Sequence, residues 1–82
     1  MHYEEFLLWL QKNHGMSVRS ARDVVSRSRR ALAITGQKSV DSKSMDLLTE
    51  SGEFIECSIS IKSQLKRAVT LYMEYLKFCK AK

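Results

Sequence analysis

Apolar residues recur along this chain at the spacing of helices, most densely over residues 59–78, ISIKSQLKRAVTLYMEYLKF. At about 100° per residue, Ile61, Leu65, Ala68, Val69, Leu71, Tyr72, Met73, Tyr75, Leu76 and Phe78 cover more than half of the helix circumference. Ser63, Lys66, Arg67, Thr70, Glu74 and Lys77 make up the remaining stripe. A surface helix has a narrower apolar face. The last helix is therefore expected at the centre of a bundle, with only its basic, hydroxyl-bearing stripe in water.

Two further helices precede it. In HYEEFLLWLQKN, Tyr3, Phe6, Leu7 and Leu10 follow the i, i+3, i+4, i+7 pattern, and Leu8 and Trp9 widen that face. Glu4 and Glu5 suit the positive end of this helix, and Gly15 is placed to end it after His14. Ser17 then caps SVRSARDVVSRSRRALAI, whose Val18, Ala21, Val25, Ser28 and Leu32 fall on one side with Val24 and Ala31 beside them. Arg19, Arg22, Ser26, Arg29 and Arg30 occupy the other side within an arc of roughly 100°. Asp23 at its edge is the one acid of that face. Thr35-Gly36 closes the helix.

The middle of the chain is less regular. Residues 37–44 are polar and rich in Ser and Lys, as a loop would be. Asp41 or Ser42 can cap a short third helix with Met45, Leu47 and Leu48 as its apolar face, ended by Ser51-Gly52. Residues 53–57, EFIEC, are the one place where a strand is arguable. Without a partner strand they are expected to be a connector that plugs Phe54 and Ile55 into the core. Ser58 or Ser60 caps the last helix. The boundaries expected are thus about 2–13, 17–34, 42–50 and 59–79: one all-α, four-helix domain covering residues 1–82 with the C-terminal helix central.

Charge adds the next constraint. The 82 residues carry a formal net charge of +5, which favours an anionic partner. The charge is also segregated. Acids gather at Asp41, Asp46, Glu50, Glu53 and Glu56, whereas bases gather on the second and last helices, with Lys77, Lys80 and Lys82 at the end of the chain. An ordinary solvated helix face mixes signs, often as Glu/Lys pairs four apart. The arginine stripe does not, and the planar guanidinium suits phosphate and base edges.

Other chemistries find no support. Cys57, Cys79, His2 and His14 lack the spacing of metal ligands, and two unpaired thiols fit a cytosolic protein. Gly36-Gln37-Lys38-Ser39 shares only the tail of a phosphate-binding loop, since Ala31 stands where its first glycine belongs. No carboxylate pair, Ser/His/Asp set or Cys/His set is in evidence. Tyr3, Tyr72 and Tyr75 lie on apolar faces. The apolar run 6–10 is too short for a membrane span. No enzyme, no metal, no cofactor and no membrane association are expected.

Three motifs in order, Phe6/Trp9/Leu10, Gly15-Met16-Ser17 leading into SVRSARDVVSRSRRAL, and the Ser58–Ile61 start of a helix carrying Tyr72/Tyr75/Leu76, resemble the N-terminal core-binding domain of phage integrases and other tyrosine recombinases. The resemblance covers nearly the whole chain and implies a SAM-like four-helix fold. It also implies half of a clamp on duplex DNA, held by the second and last helices. It carries the DNA-contacting role onto Arg19, Arg22, Ser26, Arg29, Lys66, Arg67, Thr70 and Lys77, in agreement with the helical wheels, to which Arg30 and Ser63 are added. The catalytic residues of that family belong to a separate C-terminal domain and have no counterpart here, so such a catalytic domain would be a partner in cis if this chain is a fragment. The expected function is DNA binding in DNA integration or recombination by a cytoplasmic protein that is monomeric without DNA. The rival is a helical protein–protein interaction module with Trp9, Met73 and Phe78 as its anchor patch.

Overall fold

In the computed structural model, which describes residues 3–38 and 40–80, helices form wherever the apolar spacing is long. They are α1 (Tyr3–His14), α2 (Val18–Thr35), α3 (Ser44–Glu50), α4 (Gly52–Ile55) and α5 (Ile59–Lys80). The described residues contain no strand. The architecture is all-α, with a fifth, single-turn helix where a connector was expected. The expected start at His2 and Lys82 at the end of the chain lie outside the described residues.

Helix punctuation follows the side chains and glycines. Gly15 sits at φ 61° after α1. Ser17 is extended and accepts a hydrogen bond from the Ser20 N–H at 3.2 Å, which satisfies one of the free donors at the start of α2. Gly36 ends α2 at φ 72°, its N–H bonded to the Leu32 carbonyl, a left-handed position that disfavours any side chain. Ser58 caps α5 by accepting from the Ile61 N–H at 3.3 Å.

The start of α3 departs from expectation. Lys43 occupies its N-cap, and no side chain caps it. Asp41 instead holds the preceding turn: its Oδ1 accepts from the Lys43 N–H at 2.8 Å, and its Oδ2 accepts from the Gln37 amide at 3.2 Å. Those donors, the Lys43 N–H first, hold the Asp41 carboxyl below its usual range. Ser44 closes the ring, accepting from the Asp41 N–H at 2.8 Å and donating to Gln37 Oε1 at 2.7 Å. Beside this arrangement Val40 and Ser44 are both buried.

Both α5 and α2 are central. The last helix packs on α1, α2 and α3, while α2 packs on α1, α3 and α5. Their buried faces are Ala21, Val24, Ser28, Ala31 and Leu32 on α2, and Leu65, Ala68, Val69, Leu71, Tyr72 and Tyr75 on α5. They meet where the Ser28 hydroxyl, bonded to the Val24 carbonyl at 2.9 Å, also lies 3.4 Å from the Ala68 carbonyl oxygen. On one side α1 seals the pair with aromatics: Phe6 meets the Tyr72 ring edge-on at 4.9 Å, and Trp9 lies 5.7 Å from Tyr75.

Five apolar side chains expected inside are outside, among them Phe78 at the end of α5, 40% exposed. Leu8 is 60% exposed and Val18 47%, one on the outer side of α1 and the other in the first turn of α2. Ile55 is exposed while Phe54 is buried, because neighbours on one helical turn diverge by about 100° and only one of them can point inward. Leu47 of α3 is exposed for the same reason beside the buried Leu48.

Candidate nucleic-acid interface

The α2 stripe is a single exposed strip. Arg19, Arg22, Ser26, Arg29 and Arg30 are all exposed, with the exposed Asp23 at the edge. Measured at about 100° per residue from Ser28, the residue that meets α5, Arg19, Ser26 and Arg30 lie within roughly 20° of the opposite direction. Arg22 and Arg29 lie within roughly 80° of it, toward α1. The Arg29 guanidinium stands 5.3 Å from the Tyr3 ring centroid, a cation–π contact. Arg22 and Ser26 border a shallow groove with Tyr3, Glu4 and Leu7. Arg30 reaches across the start of α5, with Nη2 3.9 Å from Cys57 Sγ.

Two features set this strip apart from a routine solvated face. The first turn of α2 holds no acid, so Arg19 sits at the positive end of the helix dipole, where a cation is unfavourable. Moreover, the one contact within 4.0 Å between a basic and a carboxylate side chain among the described residues is His14 Nε2–Glu74 Oε2 at 3.2 Å. No α2 arginine is engaged by a described carboxylate.

On α5, Ser63, Lys66, Arg67, Thr70 and Lys77 are also all exposed. Measured from Ala68, Lys66, Thr70 and Lys77 lie within roughly 20° of the opposite direction, and Ser63 and Arg67 within roughly 80°. Lys66 stands 6.0 Å from the Phe54 ring centroid, and Lys62, not among the residues expected from the sequence, stands 5.9 Å from the same ring. The signal for Lys62 was its spacing of four from Lys66. The Thr70 hydroxyl donates to the Lys66 carbonyl at 3.0 Å, so it faces a ligand as an acceptor unless that bond breaks. Lys77 borders a groove with Val40, Asp41 and Lys80.

The ten candidate residues are therefore all at the surface, but they form two sets. Ser28 and Ala68 face one another, and each stripe points away from that contact. The two stripes leave the α2–α5 pair on opposite sides of the fold. They cannot line facing walls of one groove.

The remaining chemistry is quiet. Tyr72 and Tyr75 are buried, and burial is the first cause that pushes the phenols of Tyr3, Tyr72 and Tyr75 above their ordinary value, opposite to what a nucleophile at neutral pH needs. Among the described residues no three His, Cys, Asp or Glu side chains converge as metal ligands would. No described helix is long and apolar enough to cross a membrane. The anchor patch expected of an interaction module is divided. Phe78, 40% exposed, shares a groove with Leu8, Trp9 and Tyr75, while Met73 lines a different groove beside Leu76. No protein-family model, curated protein or solved structure matches the chain.

Proposed function

We propose that the chain binds duplex DNA, mainly through phosphates laid along the outer face of α2. The observation that carries this reading is the α2 strip itself: Arg19, Arg22, Arg29 and Arg30 exposed together with no described carboxylate within 4.0 Å, and Arg19 placed against the local preference of the helix dipole. The strip spans about 17 Å at 1.5 Å per residue, enough to follow several phosphates of one backbone. Ser26 adds a hydroxyl donor, and an arginine forked onto guanine would supply any base preference. The same helix is one of the two, with α5, to which the resemblance to core-binding domains of tyrosine recombinases gives a DNA-contacting role. On that footing the chain is a cytoplasmic, non-catalytic DNA-gripping element of an integration or recombination apparatus.

The test is a titration of mixed-sequence duplex with the whole chain at several salt concentrations. Log K is expected to fall with log salt by about 0.9 for each phosphate contacted. Arg22→Ala and Arg29→Ala should each weaken binding and lower that slope by about one unit. Lys38→Ala and Lys43→Ala, between α2 and α3, should change it less. Equal effects from all four would reduce the attraction to net charge. No binding at low salt would favour the rival, a protein partner seated on the exposed Leu8 and Phe78 beside Trp9.

A further inference from the structure

We infer that one copy of the chain holds two separate duplex segments at once, one along α2 and one along α5. This rests on the DNA-binding reading above and extends it to a bridging activity. The α5 stripe repeats the chemistry of the α2 strip, with Lys66, Arg67 and Lys77 interleaved with the hydroxyls of Ser63 and Thr70, all exposed. Its one acid, Glu74, is already paired with His14. From Lys66 to Lys77 it runs about 17 Å, the same length as the strip on α2.

A single duplex cannot use both stripes. They lie on opposite sides of an α2–α5 pair that meets at Ser28 and Ala68, each at most 1% exposed. The Cα atoms of the whole domain extend only 34 × 25 × 15 Å. Duplex DNA is stiff over about 20–30 base pairs, and touching both faces would need a duplex to reverse direction around this small body. The acids strengthen the division. Glu4 and Glu5 lie on α1, and Asp41, Asp46, Glu50, Glu53 and Glu56 belong to the segment that includes α3 and α4, so negative charge borders the two basic faces. Each face is thus a separate anion-binding strip, and the molecule is a two-sided linker.

The experiment mixes two short duplexes, one carrying a donor dye and the other an acceptor, with the whole chain at low salt, and follows both anisotropy and energy transfer. Wild type is expected to bind and to bring the duplexes together when duplex is in excess, with transfer falling as excess protein gives each duplex its own copy. The double variants Arg22→Ala/Arg29→Ala and Lys66→Ala/Arg67→Ala should each still bind one duplex through the intact face, with the salt slope of that face, each losing energy transfer. All substituted positions are exposed, so helicity by circular dichroism should be unchanged. Duplex binding without transfer at any ratio overturns the inference and leaves the DNA-binding reading standing. Transfer that survives in the Lys66→Ala/Arg67→Ala variant also overturns it, because bridging would then come from self-association of one-sided copies. No binding at all sinks both readings together.

Discussion

Ser28 and Ala68, forty positions apart, meet inside the fold with the serine hydroxyl 3.4 Å from the alanine carbonyl oxygen. Both residues are essentially solvent-free. A small side chain at each position lets the two backbones approach. Ser28→Leu should therefore overpack the contact and cost about 1–3 kcal/mol. Ser28→Ala keeps the volume and loses a hydroxyl bonded mainly within its own helix, so it should cost no more than about 1.5 kcal/mol. Urea denaturation measures both, and equal losses would mean that packing is not what this contact supplies.

Leu65 is fully buried on α5 between the other helices. Leu65→Ala removes a side chain whose place cannot be refilled by solvent and should cost about 2–5 kcal/mol. That is a large share of the stability expected of a domain this size. A loss below about 0.5 kcal/mol would put α5 at the edge of the bundle.

Much of this was legible before the fold was known, and the limits were physical. Long periodic segments, the Ser17 cap and the two glycines at helix ends are local features, and the helices follow them within a residue or two. The exposure of Arg19, Arg22, Lys66 and Lys77 was legible for the same reason, since a helical wheel needs only its own sequence. The relation between the two stripes was not. It depends on which faces meet, through a contact between Ser28 and Ala68 that no window of sequence contains. Val40 escaped notice because one apolar residue in a polar run has no period. It is buried beside the Gln37–Asp41–Ser44 ring, which is built from side-chain geometry. The helix Gly52–Ile55 is a single turn, too short to display helical spacing.

Alkaline stability should report on the tyrosines. Tyr3, Tyr72 and Tyr75 are all held above the ordinary phenol value of 10.0, burial being the first cause in each. In the unfolded chain they ionise near that value, so above it the folded state retains protons that the unfolded state has lost. The stability from these phenols is complete below pH about 10 and declines as the pH rises further. Tyrosinate absorbance and loss of helicity should appear together in an alkaline titration. Ionisation of Tyr72 and Tyr75 near the ordinary value with helicity intact would contradict their placement in the core.

At Gly36 nothing stands within 4 Å of where a Cβ would be, yet φ is 72°. Gly36→Ala should lose about 1–2 kcal/mol from backbone strain alone, and Gly36→Asn less, because asparagine tolerates the left-handed region. Equal losses in thermal or urea unfolding would implicate something other than backbone conformation.

The hydrogen bond from the Tyr75 hydroxyl to Glu5 Oε2, 3.3 Å long and spanning 70 positions, has a consequence for how the protein is made. The first helix leaves the ribosome long before the segment that covers it. Until α5 has been synthesised, Phe6, Trp9 and Leu10 have only α2 to shelter them, and the nascent chain carries an open aromatic face. Its core should close late, after residues 65–75 have cleared the exit tunnel. A chain released after residue 64 should accordingly show no cooperative unfolding transition and should aggregate or engage chaperones, whereas cooperative folding of that fragment would show α1 and α2 to be self-sufficient.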